Sequence, residues 1–227
     1  MASSFVQTGR KIVAIGRNYA KHARELGNAV PEKPFFFLKP TSSFVLTGGN
    51  VEIPKGVIVH HEVELGVIIG KRGRDIRASN ADEYVAGYAL GIDMTARNVQ
   101  DAAKKKGLPW STAKGFDTFT PISDFIPKSS IPDPSNLQLW LKINGVFKQN
   151  GTTNDMIFGV PQLIEHVSSI MTLEEGDLIL TGTPEGVGPI SAGDSITAGV
   201  QLPGSEEILA LLDLTVVDRN GLYSFEA

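Results

Sequence analysis

Two glutamates and two histidines sit together in Ile58-Val59-His60-His61-Glu62-Val63-Glu64-Leu65-Gly66-Val67-Ile68-Ile69-Gly70. The segment is rich in β-branched residues and alternates, which predicts a strand. Side chains two apart on a strand share a face. His60, Glu62 and Glu64 therefore point one way, and His61, Val63, Leu65 and Val67 the other. Carboxylates about 6–7 Å apart on such a face repel by roughly 2–3 kcal/mol at an effective dielectric of about 20. A proton on one carboxyl, water around both, or a cation between them relieves that repulsion. An exposed face is the ordinary reading of Glu-x-Glu. The apolar run that follows carries the same strand into the core and argues against full exposure.

Asp93 ends a second apolar stretch, Tyr88-Ala89-Leu90-Gly91-Ile92, just before a helical segment. Taken alone it is most simply a capping acid. With Glu62 and Glu64 it would complete an all-oxygen set suited to Mg2+ or Mn2+, with Ca2+ as an alternative. Zinc through His60 or His61 lacks the spacing of a zinc site, and both are expected to play supporting or core roles. His22 and Glu25 are spaced i, i+3 and share a helix face. A carboxylate beside an imidazole fixes its tautomer, making a general base or a water-activating pair; the commoner meaning of such a pair is a surface ion pair. Thr181-Gly182-Thr183-Pro184-Glu185-Gly186-Val187-Gly188 is glycine-rich but lacks the Gly-Lys-Ser/Thr ending of a nucleotide loop. It is suited to bring backbone N–H groups and the Thr183 hydroxyl to an anion. Lys39 and Lys114 are candidate carboxylate partners.

The elements that must position these residues follow from pattern. Strands are expected at Lys11–Gly16, Phe35–Leu38, Val51–Pro54, His60–Gly70, Val85–Ile92 and Leu137–Ile143, the last with a hairpin turn at Asn144-Gly145. A two-turn helix over Tyr19–Leu26 has Asn18 as its cap and Gly27-Asn28 as its stop. Ala78–Tyr84 has helical composition. Ala96–Lys106 is predicted helical, with Thr95 as cap and Lys104-Lys105-Lys106 favouring its carbonyl end. A further helix starts near Pro161, with Leu163, Ile164, Val167, Ile170 and Met171 on its apolar face and His166 on the surface. Turns at Glu175-Gly176-Asp177 and Ala192-Gly193-Asp194 predict a β-meander in the last third.

The chain of 227 residues, 41% hydrophobic and 20% charged, suits one strand-rich α+β domain. Its net charge of −4 argues against nucleic-acid or anionic-membrane partners. Cysteine is absent, which excludes disulfides, thiolate nucleophiles and cysteine-ligated metals. No apolar run reaches the length that spans a bilayer. Met1–Lys11 has no acid and two cations, so a mitochondrial location is expected, with the cytoplasm as the alternative. Residues 1–10 are expected to be a flexible segment.

Taken in order, Gly16-Arg17-Asn18-Tyr19…His22…Glu25, Phe37-Leu38-Lys39-Pro40, His60-His61-Glu62-Val63-Glu64-Leu65, Asp93-Met94-Thr95-Ala96-Arg97, Lys106-Gly107-Leu108-Pro109-Trp110, Ala113-Lys114 and Leu180–Gly188 resemble the fumarylacetoacetate hydrolase family across nearly the whole chain. The likeness is closest to its single-domain acylpyruvase and oxaloacetate decarboxylase branch. It implies one catalytic domain over 1–227, a mixed β-roll, a homodimer, and Mg2+ or Mn2+ on Glu62, Glu64 and Asp93. It places His22 and Glu25 on a lid helix, and gives Arg17, Gln100, Thr183 and Lys114 to the carboxylate and keto oxygens of a small 2-oxo acid. The activity implied is C3–C4 cleavage: hydrolysis of acylpyruvates such as acetylpyruvate and fumarylpyruvate, and decarboxylation of oxaloacetate. Lys114 would then stabilise the pyruvate enolate and His22 with Glu25 would activate water. Oxaloacetate keto–enol tautomerisation in the same site is the alternative. A metal-stabilised binding protein without turnover is a third reading, which the His22–Glu25 spacing argues against.

Overall fold

The computed structural model describes residues 4–25, 27 and 29–226. Residues 1–3 of the N-terminal segment, and Leu26 and Asn28 at the expected end of the first helix, lie outside them. The fold is strand-rich α+β. Its centre is the Val63–Ile69 strand, buried along its whole length between Leu178–Leu180 and Val85–Ile92, antiparallel to both. A strand covered on both faces can be apolar throughout, which is how this segment reads.

Outward from that centre one sheet runs Phe35–Lys39, Ile12–Gly16, Leu178–Leu180, Val63–Ile69, Val85–Ile92, Thr120–Ile122, Phe44–Leu46, with Ile126–Pro127 also paired to Val85–Ile92. It is mixed: Ile12–Gly16 runs parallel to Leu178–Leu180, and Phe44–Leu46 parallel to Thr120–Ile122. A second sheet orders Val146–Thr152, Gln138–Ile143, Ser195–Gln201, Ile208–Asp218 and Asn50–Ile53. The main core lies between the two, where Val13, Leu65, Leu90 and Ile179 of the first share one cluster with Leu139, Leu141, Ala198 and Leu212 of the second. On the opposite face of the first sheet, Phe5 of the short Phe5–Thr8 helix is buried with Ile12, Ile68 and Leu178, edge-on to Phe44. That helix lies within the segment read as flexible.

The expected continuous strand through the two glutamates is broken. Val59–His61 pairs with Gly188–Ile190 and Thr95–Ala96 in a small third sheet, and Val63–Ile69 belongs to the large one. Glu62 is the corner where the chain changes sheets, so the two-residue alternation does not pass through it. Asn18 also departs from its expected role. It does not cap the Ala20–Glu25 helix; its Nδ2 donates to Thr181 O (2.8 Å) and Phe158 O (3.0 Å), and its Oδ1 accepts from Phe158 N (2.9 Å). Gly27, at φ 67°, supplies the left-handed turn expected after the helix.

Arg97–Lys106 is helical, closed by Gly107 at φ 64° with the three lysines in its last turn. Ala96, not Thr95, is the residue that flanks its start, and no side chain caps it; the Thr95 hydroxyl donates to Glu62 instead. Ala78–Tyr84 forms a 3₁₀ segment. Val160–Ser168 buries Leu163, Ile164 and Val167, but Ile170 lies past its end and is exposed; His166 is half-buried, edge-on to Phe36. Asn144 and Gly145 take φ 51° and 78°, which turns the Gln138–Ile143 strand back as the sequence predicts.

Asn18 ties three segments together with three side-chain hydrogen bonds while fully buried. Asn18→Ala leaves those partners unmatched and is expected to lower stability by about 2–4 kcal/mol. Urea unfolding would show this as a lower midpoint at unchanged slope; an unchanged midpoint would contradict the role.

Candidate active site

Glu62 stands at the corner, Glu64 two residues into the large sheet, and Asp93 just past the end of the neighbouring strand. The register that pairs Val63 with Ile92 brings Asp93 beside Glu62, and Asp93 N donates to Glu62 O at 2.8 Å. All three side chains are buried, and one carboxylate oxygen from each lies within 4.8 Å of the other two. The pair is therefore brought together by the corner at Glu62 rather than by one strand, and the sheet register delivers the third acid.

Three cations are packed against this charge. Lys114 Nζ bridges Glu62 Oε2 (3.0 Å) and Asp93 Oδ2 (2.5 Å). Lys39 Nζ donates to Asp93 Oδ1 (2.5 Å) and Phe119 O (2.7 Å). Arg97 Nη2 donates to Glu62 Oε1 at 2.6 Å, and Thr95 Oγ1 donates to the same oxygen at 2.9 Å. Burial alone would raise the Glu62 carboxyl; Lys114 and then Arg97 outweigh it and hold the group well below the ordinary range. Burial would likewise lower the Lys114 ammonium, and Asp93 and Glu62 raise it instead. Glu64 is treated differently. It accepts one backbone hydrogen bond, from Gly182 N at 2.7 Å, and burial followed by repulsion from Asp93 and Glu62 pushes its carboxyl well up.

A buried carboxylate held beside two like charges, in a cluster that offers only oxygen donors, fits a hard divalent cation. Imidazole takes no part in the cluster. His61 Nδ1 lies 2.9 Å from Gln149 Oε1, an oxygen that also accepts from Val63 N, so that nitrogen carries the proton. His60 is lowered to about 4, first by burial and then by Arg97, whose Nε is 3.4 Å from its Nδ1. Neither histidine belongs to the carboxylate cluster.

The triad opens onto a narrow cleft that is also lined by Arg17, His22, Gln100, Lys114 and Thr183. Of the expected site residues only Glu25 is set back. His22 Nδ1 is 3.5 Å from Glu25 Oε2, and both Glu25 oxygens accept from Gly186 N at 3.2 Å, fastening the Ala20–Glu25 helix to the glycine-rich loop. Burial lowers the His22 imidazole, with Glu62 and Glu25 opposing, so the ring is neutral at pH 7. Thr183 Oγ1 donates to Val63 O and accepts from Gln149 Nε2, both at 2.8 Å, which fixes the hydroxyl but commits its proton. Gln100 Oε1 accepts from Arg97 Nη1 at 2.7 Å. Arg17 sits at φ 55°, a conformation that costs a side-chain-bearing residue on the order of 1–3 kcal/mol. The neighbouring Asn18 network holds it there.

Sequence reasoning gave no role to Arg97 or Gln149. Arg97 had a usable signal, since it precedes Gln100 by three residues on the same helix and so faces the same way. Gln149 had none: it comes from a polar hairpin strand of the second sheet and is buried only because that sheet packs over the corner.

The fold and the buried acidic cluster define an enzyme scaffold, and comparison with known proteins identifies its family. The C-terminal domain profile of fumarylacetoacetate (FAA) hydrolase matches residues 11–214, and the chain belongs to that family. It is 60% identical over 200 residues to an oxaloacetate decarboxylase, mitochondrial, of Dictyostelium discoideum, covering 87% of this chain and 92% of that protein. It is 58% identical over 205 residues to an oxaloacetate tautomerase, mitochondrial, of Arabidopsis thaliana, covering 88% and 92%. Among solved structures, a yeast fumarylacetoacetate hydrolase family protein superposes with a TM-score of 0.90 at 37% identity, covering 99% of this chain and all of that one. Fumarylpyruvate hydrolase from Pseudomonas aeruginosa, in complex with Mn2+ and pyruvate, superposes at 0.84 with 36% identity, covering 93% and 91%. The mitochondrial names of the relatives agree with the location expected from the N-terminal composition.

Loss of an outer-sphere partner alone weakens a metal site by about 10–100-fold, so Glu64→Gln is expected to weaken Mn2+ binding by at least about 100-fold. The amide can still accept from Gly182 N, so the fold should stand. Calorimetric titration with Mn2+ checks this, and unchanged affinity would remove Glu64 from the ligand set.

Proposed function

We propose that this chain is a Mg2+- or Mn2+-dependent enzyme acting on oxaloacetate and related small 2-oxo acids, cleaving the bond between C3 and C4. Oxaloacetate would give pyruvate and CO2, and acylpyruvates such as acetylpyruvate and fumarylpyruvate would be hydrolysed. The observation that carries this reading is the meeting, in one cleft, of three buried carboxylates, a buried lysine and a neutral buried histidine. The names of the two relatives and the pyruvate bound to the Pseudomonas protein support the substrate class. Glu62, Glu64 and Asp93 would hold the divalent ion, which supplies Lewis acidity toward the carboxylate and keto oxygens of a 2-oxo acid.

The protein's own groups do the rest. When the C3–C4 bond breaks, its electron pair moves into the C2–C3 bond and negative charge grows on the C2 oxygen. The Lys114 ammonium, kept charged by Asp93 and Glu62, is the donor placed to meet that charge. In acylpyruvate hydrolysis His22 takes a proton from water as it attacks the distal carbonyl. Glu25 beside Nδ1 steadies the imidazolium that results, leaving Nε2 as the nitrogen available to the cleft. Gln100 and Arg17 orient the substrate, and Thr183, whose hydroxyl proton is committed to Val63 O, lines the cleft and shapes it. The Ala20–Glu25 helix, fastened through Glu25 to Gly186, acts as a lid that keeps bulk water out.

A second reading is keto–enol tautomerisation of oxaloacetate. It is favoured by His22 itself, which is only 5% exposed and neutral, as suits a carrier of a proton between C3 and the C2 oxygen with no water consumed. The enzyme is proposed to work as a homodimer. The Phe35–Lys39 strand ends the large sheet with Leu38 exposed, an apolar edge that a second copy would cover; light scattering should return twice the chain mass, and a monomer would contradict the dimer.

His22→Ala is expected to keep Mn2+ binding and lose about 10²–10⁴-fold in turnover, as for removal of a general base. Because burial lowers His22 below its ordinary 6.5, the base stays unprotonated as pH falls through that value. The acid limb of kcat/KM in the parent enzyme should therefore lie below 6.5. Full activity in His22→Ala would exclude the residue from the chemistry.

A further inference from the structure

The cations of the cleft are not equivalent. Lys114 and Arg97, like Lys39 packed behind them, are each bound to a triad carboxylate, and Lys104, which lies 5.6 Å from the Trp110 ring centroid, pairs with Asp101 at 3.3 Å. Arg17 makes no ion pair among the described residues; its guanidinium instead lies 5.5 Å from the centroid of the Phe35 ring. A Cβ on Gly16 would meet that ring at 2.3 Å, so the ring lies flush against the backbone that precedes Arg17. Trp110 stands edge-on to Phe35 at 6.0 Å and packs on Phe37 at 5.5 Å, and Phe37 in turn lies 4.8 Å from Lys114 Nζ. The cleft therefore has two ends: the carboxylate cluster with its own cations, and an aromatic wall carrying an unpaired guanidinium. A 2-oxo acid held at the cluster by its first carboxylate and keto oxygen would extend its C4 group toward that wall.

We propose that Arg17 grips the distal carboxylate of oxaloacetate and thereby biases the enzyme toward keto–enol interconversion and against loss of CO2. This rests on the oxaloacetate reading above. In decarboxylation the C3–C4 bond breaks and the charge of the distal carboxylate ends on the C2 oxygen as neutral CO2 departs. A guanidinium paired with that carboxylate stabilises the reactant more than the transition state, so it slows this reaction. In tautomerisation one proton passes from C3 to the C2 oxygen and the distal carboxylate keeps its charge. Arg17 then binds reactant and transition state alike and costs that reaction nothing. Acetylpyruvate has a methyl ketone where oxaloacetate has the carboxylate, and offers Arg17 no anion.

The test compares the parent enzyme, Arg17→Met and Arg17→Lys with Mn2+, following enol absorbance and pyruvate release in the same oxaloacetate samples, with acetylpyruvate hydrolysis run in parallel. Arg17→Met should raise KM for oxaloacetate by about 10–100-fold, the loss of a charge-assisted bidentate contact. It should also raise the ratio of pyruvate released to enol interconverted by about tenfold, and depress acetylpyruvate kcat/KM far less than that for oxaloacetate. Arg17→Lys, which keeps the charge but not the fork, should fall between. A merely structural role would lower all rates together and leave the ratio unmoved, and that result, or equal losses on both substrates, would overturn the inference. A parent enzyme inactive on oxaloacetate in both assays would sink the oxaloacetate reading itself, and this inference with it. An active parent with an unmoved ratio sinks this inference alone.

Discussion

Three buried carboxylates with oxygens within 4.8 Å of one another are the constraint to which the surrounding structure answers. At an effective dielectric of about 20, each ionised pair at that separation repels by roughly 3–4 kcal/mol, a large fraction of a domain's net stability. Lys39 and Lys114 are driven into full burial by this charge, and Arg97 is aimed at it from the first turn of its helix. The compensation is uneven. Glu62 and Asp93 receive the cations, whereas Glu64 receives one backbone N–H and carries the unfavourable balance. A protein selected only for stability would replace Glu64 with an apolar residue; keeping it makes sense where its charge is needed for binding.

The fold meets this constraint with a corner rather than a straight strand. At Glu62 the chain leaves the small sheet and enters the large one, which lets Glu62 and Glu64 turn toward the same point as Asp93 from the adjacent strand. The glycine-rich loop after Leu178–Leu180 closes the site from one side through Gly182 N and Thr183, and the second sheet closes it from behind through Gln149. Gln149 alone joins Val63 N, His61 Nδ1, Thr183 Oγ1 and Pro184 O. The metal-cluster side chains therefore stand on the packed sheets, while the Ala20–Glu25 helix is held by the Asn18 network before it, by buried Ala23, by Lys21 against Asp155 and Glu185, and by Glu25 on Gly186.

Much of this was legible in the amino-acid sequence, for identifiable reasons. Glu62 and Glu64 declare themselves because an acidic pair inside an apolar strand is costly. Asp93 does so because it ends a strand before a helix, and His22 and Glu25 because i, i+3 is a helix spacing. Many strand and turn positions followed from periodicity and from glycine and asparagine at the turns. The expected β-meander of the last third is not formed: Leu178–Leu180, Gly188–Ile190 and Ser195–Gln201 go to three different sheets, a choice of partners that local pattern does not encode. What failed to show depends on contacts between segments far apart in the chain. The break at Glu62 is invisible because β-alternation looks unbroken on both sides of it. Asn18 looks like a cap, since only the tertiary structure brings Thr181 and Phe158 to its amide. Gln149 sits in a stretch whose polarity reads as an exposed hairpin, and Thr95 was assigned to a helix terminus when its hydroxyl serves Glu62.

The central claim is that Glu62, Glu64 and Asp93 together hold one hard divalent cation. It is tested most directly by anomalous diffraction at the manganese edge from crystals of this protein grown with Mn2+ and oxalate. A single strong peak bonded to one oxygen from each of the three carboxylates, with oxalate completing the shell, is the predicted result. A peak that leaves out any of the three, or oxalate bound in the cleft with no peak beside it, would contradict the claim.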